Sequence, residues 1–248
     1  MVTTGSGSDT STPTLSARAV AKLIDHTLLK ADALPADVER LCGEARQYGF
    51  CSVCVNSSYV KLARQLLADT HVKVCAVVGF PLGAMEPGIK ALEARKAIQD
   101  GASEIDMVLH VGALKAKDDD LVLRDISGVV AACHEAKALC KVILETCLLN
   151  EEEKVRACRL CMKAEADFVK TSTGFSTGGA TIEDISLMAR TVAPAKLGVK
   201  ASGGIRSYAD LQKFVEAGAT RIGCSSGIRI VQEVMGVAPA TAPASKGY

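Results

Sequence analysis

From Leu23 onward the chain repeats one pattern eight times: a short apolar run, a loop, and then a stretch with helical periodicity. The runs are LIDHTLL, SVCVNSS, VKVCAVVGF, EIDMVLHV, CKVILET, DFVKTS, LGVKASGG and RIGCSS. The helical stretches that follow them are LPADVERLCGEAR, YVKLARQLLAD, GIKALEARKAIQDG, DLVLRDISGVVAACHEA, NEEEKVRACRLCMKAE, TIEDISLMARTVA, SYADLQKFVEAG and GIRIVQEVM. Their ends carry helix punctuation: Asn150 precedes three glutamates at a start, and Gly101 and Gly218 stand just past two ends. Strands that alternate with helices pair in parallel, and eight such units at a spacing of about 25 residues have the size of a closed α/β (β/α)8 TIM barrel. An open doubly wound sheet is the alternative. It would place a glycine-rich phosphate loop after the first strand, where this chain has KADALPAD with no glycine.

Of the 248 residues, 48% are apolar, enough for a sizeable core. The expected organisation is a flexible arm over 1–13 (MVTTGSGSDTSTP), a single barrel domain over 14–235 and a mobile tail over 236–248 (GVAPATAPASKGY), because neither end can bury enough apolar area to offset ordering. Lys plus Arg (29) balance Asp plus Glu (28), so no basic field invites nucleic acid or an anionic membrane. No signal peptide and no membrane span are expected. The partner class this leaves is a small molecule. Barrels of this size often dimerise, which makes a homodimer an option, although no interface signature is visible.

Ten cysteines lie mostly within apolar runs, the pattern of reduced core thiols in a cytoplasmic protein. Two CxxC pairs raise the question of zinc. Cys51 and Cys54 lie in a strand-like run, where residues three apart face opposite sides, and Cys158 and Cys161 share a helix face without a third and fourth ligand nearby. His26, His71, His110 and His134 are scattered, without metal-ligand spacing. The expectation is therefore no metal and no cofactor.

Active sites of barrels form at the C-terminal ends of the strands. The polar residues there are Asp25 and Thr27, Cys54 and Asn56, Asp106 and His110, Lys141 and Glu145, Lys170 and Ser172, and Lys200 and Ser202. Lys170, in DFVKTSTGF, occupies a core position, where burial opposes an ammonium group. Lys200 lies at matching depth on the next strand, so the two nitrogens are expected within about 6 Å. Two unit charges at that distance repel by roughly 3 kcal/mol at an effective dielectric near 20, enough to move one lysine towards the neutral amine. A neutral amine attacks carbonyl carbon and forms a Schiff base. Asp106 would remain ionised beside the lysines and could hold a water or shuttle protons. The structural alternative is that each lysine merely pairs with a carboxylate such as Asp106 or Glu145.

The last two strands run into SGGIR (Ser202–Arg206) and SSGIR (Ser225–Arg229). Small glycine-bearing loops after the seventh and eighth barrel strands suit a phosphate group held by backbone N–H groups, although tight turns need glycine in any case.

Taken together and in order, LIDHTLLK, SVCVN, VVGFPLG, EIDMV, KVILET, DFVKTSTGF, VKASGGIR and GCSSG resemble the deoxyribose-phosphate aldolase family, from about Leu23 to Ser226. The resemblance implies a class I aldolase that reversibly joins acetaldehyde and D-glyceraldehyde 3-phosphate into 2-deoxy-D-ribose 5-phosphate. It implies that Lys170 forms the Schiff base, that Lys200 perturbs it and transfers protons, and that Asp106 works with a water as acid and base. It further implies that Cys54 lines the pocket, that Gly174, Gly203, Gly204, Ser225 and Ser226 hold the phosphate, and that Tyr248 reaches the site from the tail. Ser172 and Thr173 can serve polar substrate groups. The rivals are another Schiff-base aldolase on the same barrel, or a non-covalent phosphate-binding barrel that is an isomerase or a binding module. Two positions depart from the family pattern: Cys51 stands where alanine is expected, and Glu165 where glycine is usual.

Overall fold

In the computed structural model, which describes residues 15–237, the eight apolar runs form one sheet that closes on itself. The strands are β1 (Ile24–Leu28), β2 (Ser52–Asn56), β3 (Lys73–Val78), β4 (Glu104–Val108), β5 (Leu139–Ile143), β6 (Phe168–Lys170), β7 (Gly198–Ser202) and β8 (Arg221–Cys224). Each pairs in parallel with the next, and β1 also pairs with β8 through Ile24 opposite Ile222. That last pairing removes both edges and excludes the open sheet. The helices are α1 (Ala17–Ala21), α2 (Pro35–Tyr48), α3 (Val60–Leu66), α4 (Pro87–Gln99), α5 (Val111–Lys115), α6 (Asp119–Glu135), α7 (Glu151–Lys163), α8 (Ile182–Val192), α9 (Tyr208–Glu216) and α10 (Gly227–Val234). No helix among the described residues is long and apolar enough to cross a membrane. The expected arm over 1–13, the tail beyond Val237 and Tyr248 lie outside the described residues.

Eight helices fall where the periodicity predicts them, and α1 and α5 do not. At five residues each, they are too short to show a period. The run EIDMVLHV reads as one strand to Val111, but β4 stops at Val108, because His110 Nδ1 accepts the Ala113 N–H at 3.2 Å and caps α5. The α7 start behaves as its sequence suggests. Asn150 Oδ1 accepts the Glu153 N–H and Glu153 Oε2 accepts the Asn150 N–H, each at 2.9 Å, a reciprocal cap.

Period-two alternation divides the strand residues into two populations. Outward side chains such as Val53, Val74, Ile105, Val142, Val169 and Ile222 join the helices in the main apolar core, all of them fully or nearly fully buried. Inward ones form only a small apolar patch, Leu29, Cys54, Cys75 and Val77, with Phe80 against it. Beside it the interior holds a buried charged layer of Asp25, Glu104, Asp106, Lys141, Lys170, Lys200 and Arg221. Aliphatic burial between sheet and helices therefore carries the hydrophobic stabilisation, and the barrel lumen is left for polar work.

All ten cysteines are free, and eight are buried. Burial pushes the thiol of Cys42 up to about 11 and those of Cys158 and Cys224 up to about 12. Cys147 is the exposed one. Alkylation of the native protein at pH 8, followed by peptide mass spectrometry, is expected to label Cys147 ahead of the buried thiols.

Glu165 follows the α7 C-terminus with φ +60°, the left-handed conformation in which glycine replaces most residues without strain. Its departure from the family pattern therefore has a structural cost. Glu165→Gly is expected to raise the unfolding free energy by roughly 0.5–1 kcal/mol, read as a higher urea midpoint at unchanged slope.

Candidate active site

The inward charges come from six strands and meet in one buried layer. β4 supplies Glu104 and Asp106, two residues apart and hence on the same face. β5 supplies Lys141, β6 Lys170, β7 Lys200, β8 Arg221 and β1 Asp25, and the register sets Asp106 beside Lys141, Lys170 beside Lys200, and Lys200 beside Arg221. The matching depth of Lys170 and Lys200 is as expected from the sequence. Gly223 on β8 clears the route of Lys200, since a β-carbon there would stand 2.9 Å from Lys200 Cε.

Asp106 is the hub. Its Oδ1 accepts from Lys141 Nζ at 2.8 Å, and its Oδ2 accepts from Lys170 at 2.8 Å and from Lys200 at 2.7 Å. The nitrogens of Lys170 and Lys200 can be no further apart than those two bonds laid end to end, inside the expected 6 Å. Lys200 also reaches Asp25 Oδ2 at 2.5 Å, and Lys141 reaches Glu104 Oε2 at 2.6 Å. Arg221 closes the ring with 2.8 Å contacts to Asp25 Oδ1 and Glu104 Oε2, its guanidinium 5.4 Å from the centre of the Phe168 ring.

The titration of these groups follows from their neighbours. Burial alone would push the Asp106 carboxyl up, but Lys141, Lys170 and Lys200 outweigh it and hold it well below the usual range. Asp25 is likewise lowered, with Lys200, Lys141 and Arg221 overcoming its burial. Burial opposes charge on Lys200, yet Asp106 and Asp25 prevail and hold it well above its ordinary value. Lys141 is held up in the same way, chiefly by Asp106. Lys200 and Lys141 are therefore fixed cations at neutral pH.

Counting the charges separates Lys170 from the rest. Four cationic side chains (Lys141, Lys170, Lys200, Arg221) face three carboxylates (Asp25, Glu104, Asp106). Lys141, Lys200 and Arg221 each touch two carboxylates or more, whereas Lys170 touches one, through an oxygen it shares with Lys200. The surplus positive charge thus falls on the lysine with the fewest compensating oxygens. The structural alternative, pairing with Asp106, is present in the same geometry. Pairing with Glu145 is not: that carboxylate accepts instead from Thr173.

The remaining predicted residues distribute as follows. Cys54 is fully buried beside Cys75, its register partner on β3, and Cys75 Sγ donates to Asp106 Oδ1 at 3.1 Å. One ligand atom from each of Cys54, Cys75 and Asp106 lies within 4.8 Å of the others, a grouping the CxxC spacings did not suggest. Three lysine ammonium groups bonded to that same Asp106 oppose a dication there. Gly174, Gly203 and Gly204 take φ of +86°, +90° and +85° in the loops after β6 and β7. Gly203 also packs on Gly179, where a β-carbon would come within 2.3 Å of the Gly203 oxygen. Ser225 and Ser226 precede α10 after β8, and the Ser226 side chain makes no capping bond. Ser202 Oγ donates to the Ser172 carbonyl at 2.7 Å, which ties the two loops together, while Ser172 Oγ is buried without a partner. Phe80 and Phe175 meet edge to face at 5.3 Å, joining the loops after β3 and β6.

The sequence reading left Glu104, Arg221 and Cys75 out of the site. Glu104 had a signal in the i, i+2 spacing with Asp106. Arg221 had none, since a charge at the first position of a strand ordinarily faces solvent.

A closed parallel barrel whose lumen gathers three lysines around one carboxylate suits a carbon–carbon lyase that works through a lysine, an aldolase. Comparison with known proteins narrows this class. Residues 19–237 match the family described as DeoC/LacD family aldolase, and the chain belongs to it. It is 62% identical over 213 residues to the deoxyribose-phosphate aldolase of Geobacillus sp. (strain WCH70), an alignment that covers 86% of this chain and 95% of that one. It is 60% identical over 212 residues to the deoxyribose-phosphate aldolase of Listeria monocytogenes serotype 4a (strain HCC23), over 86% and 94% of the two chains. The solved deoxyribose phosphate aldolase of Aeropyrum pernix, described as tetrameric, superposes with a TM-score of 0.83 at 36% identity over 89% of this chain and 92% of that one.

The charged layer has a consequence for stability. Removing one cation strands buried carboxylates, so Lys141→Met is expected to lower the unfolding free energy by about 3–5 kcal/mol in urea titration. Because Asp25 and Asp106 are held below their ordinary 3.8, their contribution is complete above that pH and drains away as the pH falls through the lower folded values.

Proposed function

We propose that the protein reversibly cleaves 2-deoxy-D-ribose 5-phosphate to D-glyceraldehyde 3-phosphate and acetaldehyde through a Schiff base on Lys170. The observation that carries this reading is the charge count: four cations against three carboxylates, with Lys170 the least compensated. As the neutral amine Lys170 brings the layer into balance, and it is then a nucleophile. The identity of the relatives supports the choice of substrate.

In the cleavage direction the Lys170 amine adds to the C1 aldehyde of the open-chain sugar, and loss of water gives an iminium. The C3 hydroxyl gives up its proton, the C2–C3 bond breaks, and its electron pair moves into the iminium. The C3 oxygen leaves as the aldehyde of glyceraldehyde 3-phosphate. The enamine that remains takes a proton at C2, and water hydrolyses the resulting iminium to acetaldehyde and free amine. The iminium is itself the electron sink, so the sequence of steps calls on no metal or organic cofactor. Asp106, kept ionised by Lys141 and Lys200, serves as base through a water, and Lys200, held charged by Asp25 and Asp106, serves as acid. Gly174, Gly203, Gly204, Ser225 and Ser226 cradle the phosphate by backbone donors, Thr173 and Ser172 meet polar substrate groups, and Cys54 lines the pocket. A cytoplasmic homodimer completes the proposal.

The rival within the class is a Schiff-base aldolase with a different donor. Borohydride reduction in the presence of acetaldehyde, followed by peptide mass spectrometry, is expected to leave a two-carbon adduct on Lys170. An unmodified Lys170 argues for a non-covalent barrel, and an adduct only with pyruvate argues for the rival donor. Lys170→Ala is expected to lose the adduct and turnover together. Lys200→Arg keeps a charge but is expected to lower kcat by about 10²–10⁴-fold, because the guanidinium does not release its proton.

A further inference from the structure

Glu145, directly after β5, is a carboxylate that the proposed chemistry leaves without a role. Its backbone stands at φ +56°, a conformation that a residue with a β-carbon adopts only at a cost. Its side chain is buried, and no lysine, arginine or histidine among the described residues pairs with it. An uncompensated buried carboxylate needs donors, and both of its oxygens accept from Thr173, with the Cys147 thiol a longer donor to Oε1 at 4.0 Å. Oε1 accepts the Thr173 N–H at 3.2 Å and Oε2 accepts the Thr173 hydroxyl at 2.5 Å. Thr173 Oγ1 accepts in turn from the Phe175 N–H at 3.0 Å. The chain on either side of Glu145 stays laddered to the β6 segment, Leu144 N–H to the Lys170 carbonyl at 2.9 Å and Thr146 N–H to the Thr171 carbonyl at 3.0 Å. The left-handed residue sits between those two bonds, so the strain is confined to the one position whose side chain braces the turn Thr173–Gly174–Phe175.

We propose that Glu145 is a positioning residue for phosphate recognition: it holds that turn so that the backbone at Gly174, beside Lys170, faces the phosphate group of the substrate. The inference rests on the proposed function and deepens it by dividing the labour of the β6 loop. Lys170 acts on the carbonyl end, and Glu145 acts through Thr173 on the phosphate end. Both carboxylate oxygens are turned to Thr173, which keeps the negative charge behind the turn.

The test compares Glu145→Gln, Glu145→Ala, Glu145→Gly and Thr173→Val on 2-deoxyribose 5-phosphate and on unphosphorylated 2-deoxyribose, together with the inhibition constant of inorganic phosphate. Glu145→Ala and Thr173→Val are each expected to raise the KM of the phosphorylated sugar and the inhibition constant of phosphate by roughly ten- to a hundredfold, and their combination by little more. Turnover of the unphosphorylated sugar by the Glu145 variants should change by no more than about twofold. Glu145→Gly relieves the left-handed strain, so it should match or exceed the alanine variant in stability while sharing its phosphate defect, which separates positioning from folding. Equal losses on both sugars would assign Glu145 a general structural role and overturn the proposal. Tighter phosphate inhibition in Glu145→Gln would overturn it too, since the carboxylate would then be repelling the anion. The same loss, read as the dissociation constant of inorganic phosphate by titration calorimetry, needs no turnover, so this result stands apart from the borohydride experiment, in which an unmodified Lys170 in the parent protein sinks the Schiff-base reading alone.

Discussion

Everything in the lumen of this barrel is organised around the two oxygens of Asp106. Three ammonium groups bond to them at 2.7–2.8 Å, and each ammonium arrives from a different strand. Such an arrangement is stable only if every charge has a partner, because an unpaired ion out of water costs several kcal/mol. Asp25 and Glu104 supply further partners for Lys141 and Lys200, and pair with Arg221 as well, which leaves Lys170 with a single shared oxygen. Lys170 is in this sense the least compensated cation of an otherwise paired network. The same carboxylate that accepts from Lys170 also keeps Lys200 charged.

The fold separates stability from chemistry by direction. Outward strand residues are aliphatic and pack on helices, so most of the hydrophobic burial lies outside the barrel. Inward residues are free to be charged, and closure places all of them within reach of one another. The loops that follow β5, β6 and β7 then interlock: Glu145 grips Thr173, Ser202 grips Ser172, and Gly203 lies against Gly179. These contacts fix the loops of three neighbouring strands against one another.

Several parts of the site could be read from the residues in order. Lys170, Lys200 and Asp106 interrupt apolar runs at inward positions, and the cost of burying charge makes such interruptions conspicuous. Glu104 and Arg221 were less visible because the first residue of a strand usually meets solvent, and only the closed ring carries those ends under the charged layer. The strain at Glu145 has no sequence signal at all, since a glutamate gives no hint of positive φ. Glu165 did give one, through the glycine expected there, and its φ of +60° supplies the reason. The short helix α5 was hidden because VLHV satisfies strand propensity, and the His110 cap decides the matter locally.

Period-two and helical periodicity, eight times over, were sufficient to predict alternating layers and parallel pairing, because each apolar face has to be covered, while closure over the open sheet rests on the pairing of β1 with β8. The residue types at inward positions likewise determined that the lumen would hold opposite charges. What only the tertiary structure decided is how those charges divide. Which lysine is left short of partners depends on distances set by strand register and barrel shear, and those distances couple residues nearly two hundred positions apart, such as Asp25 with Lys200 and Arg221.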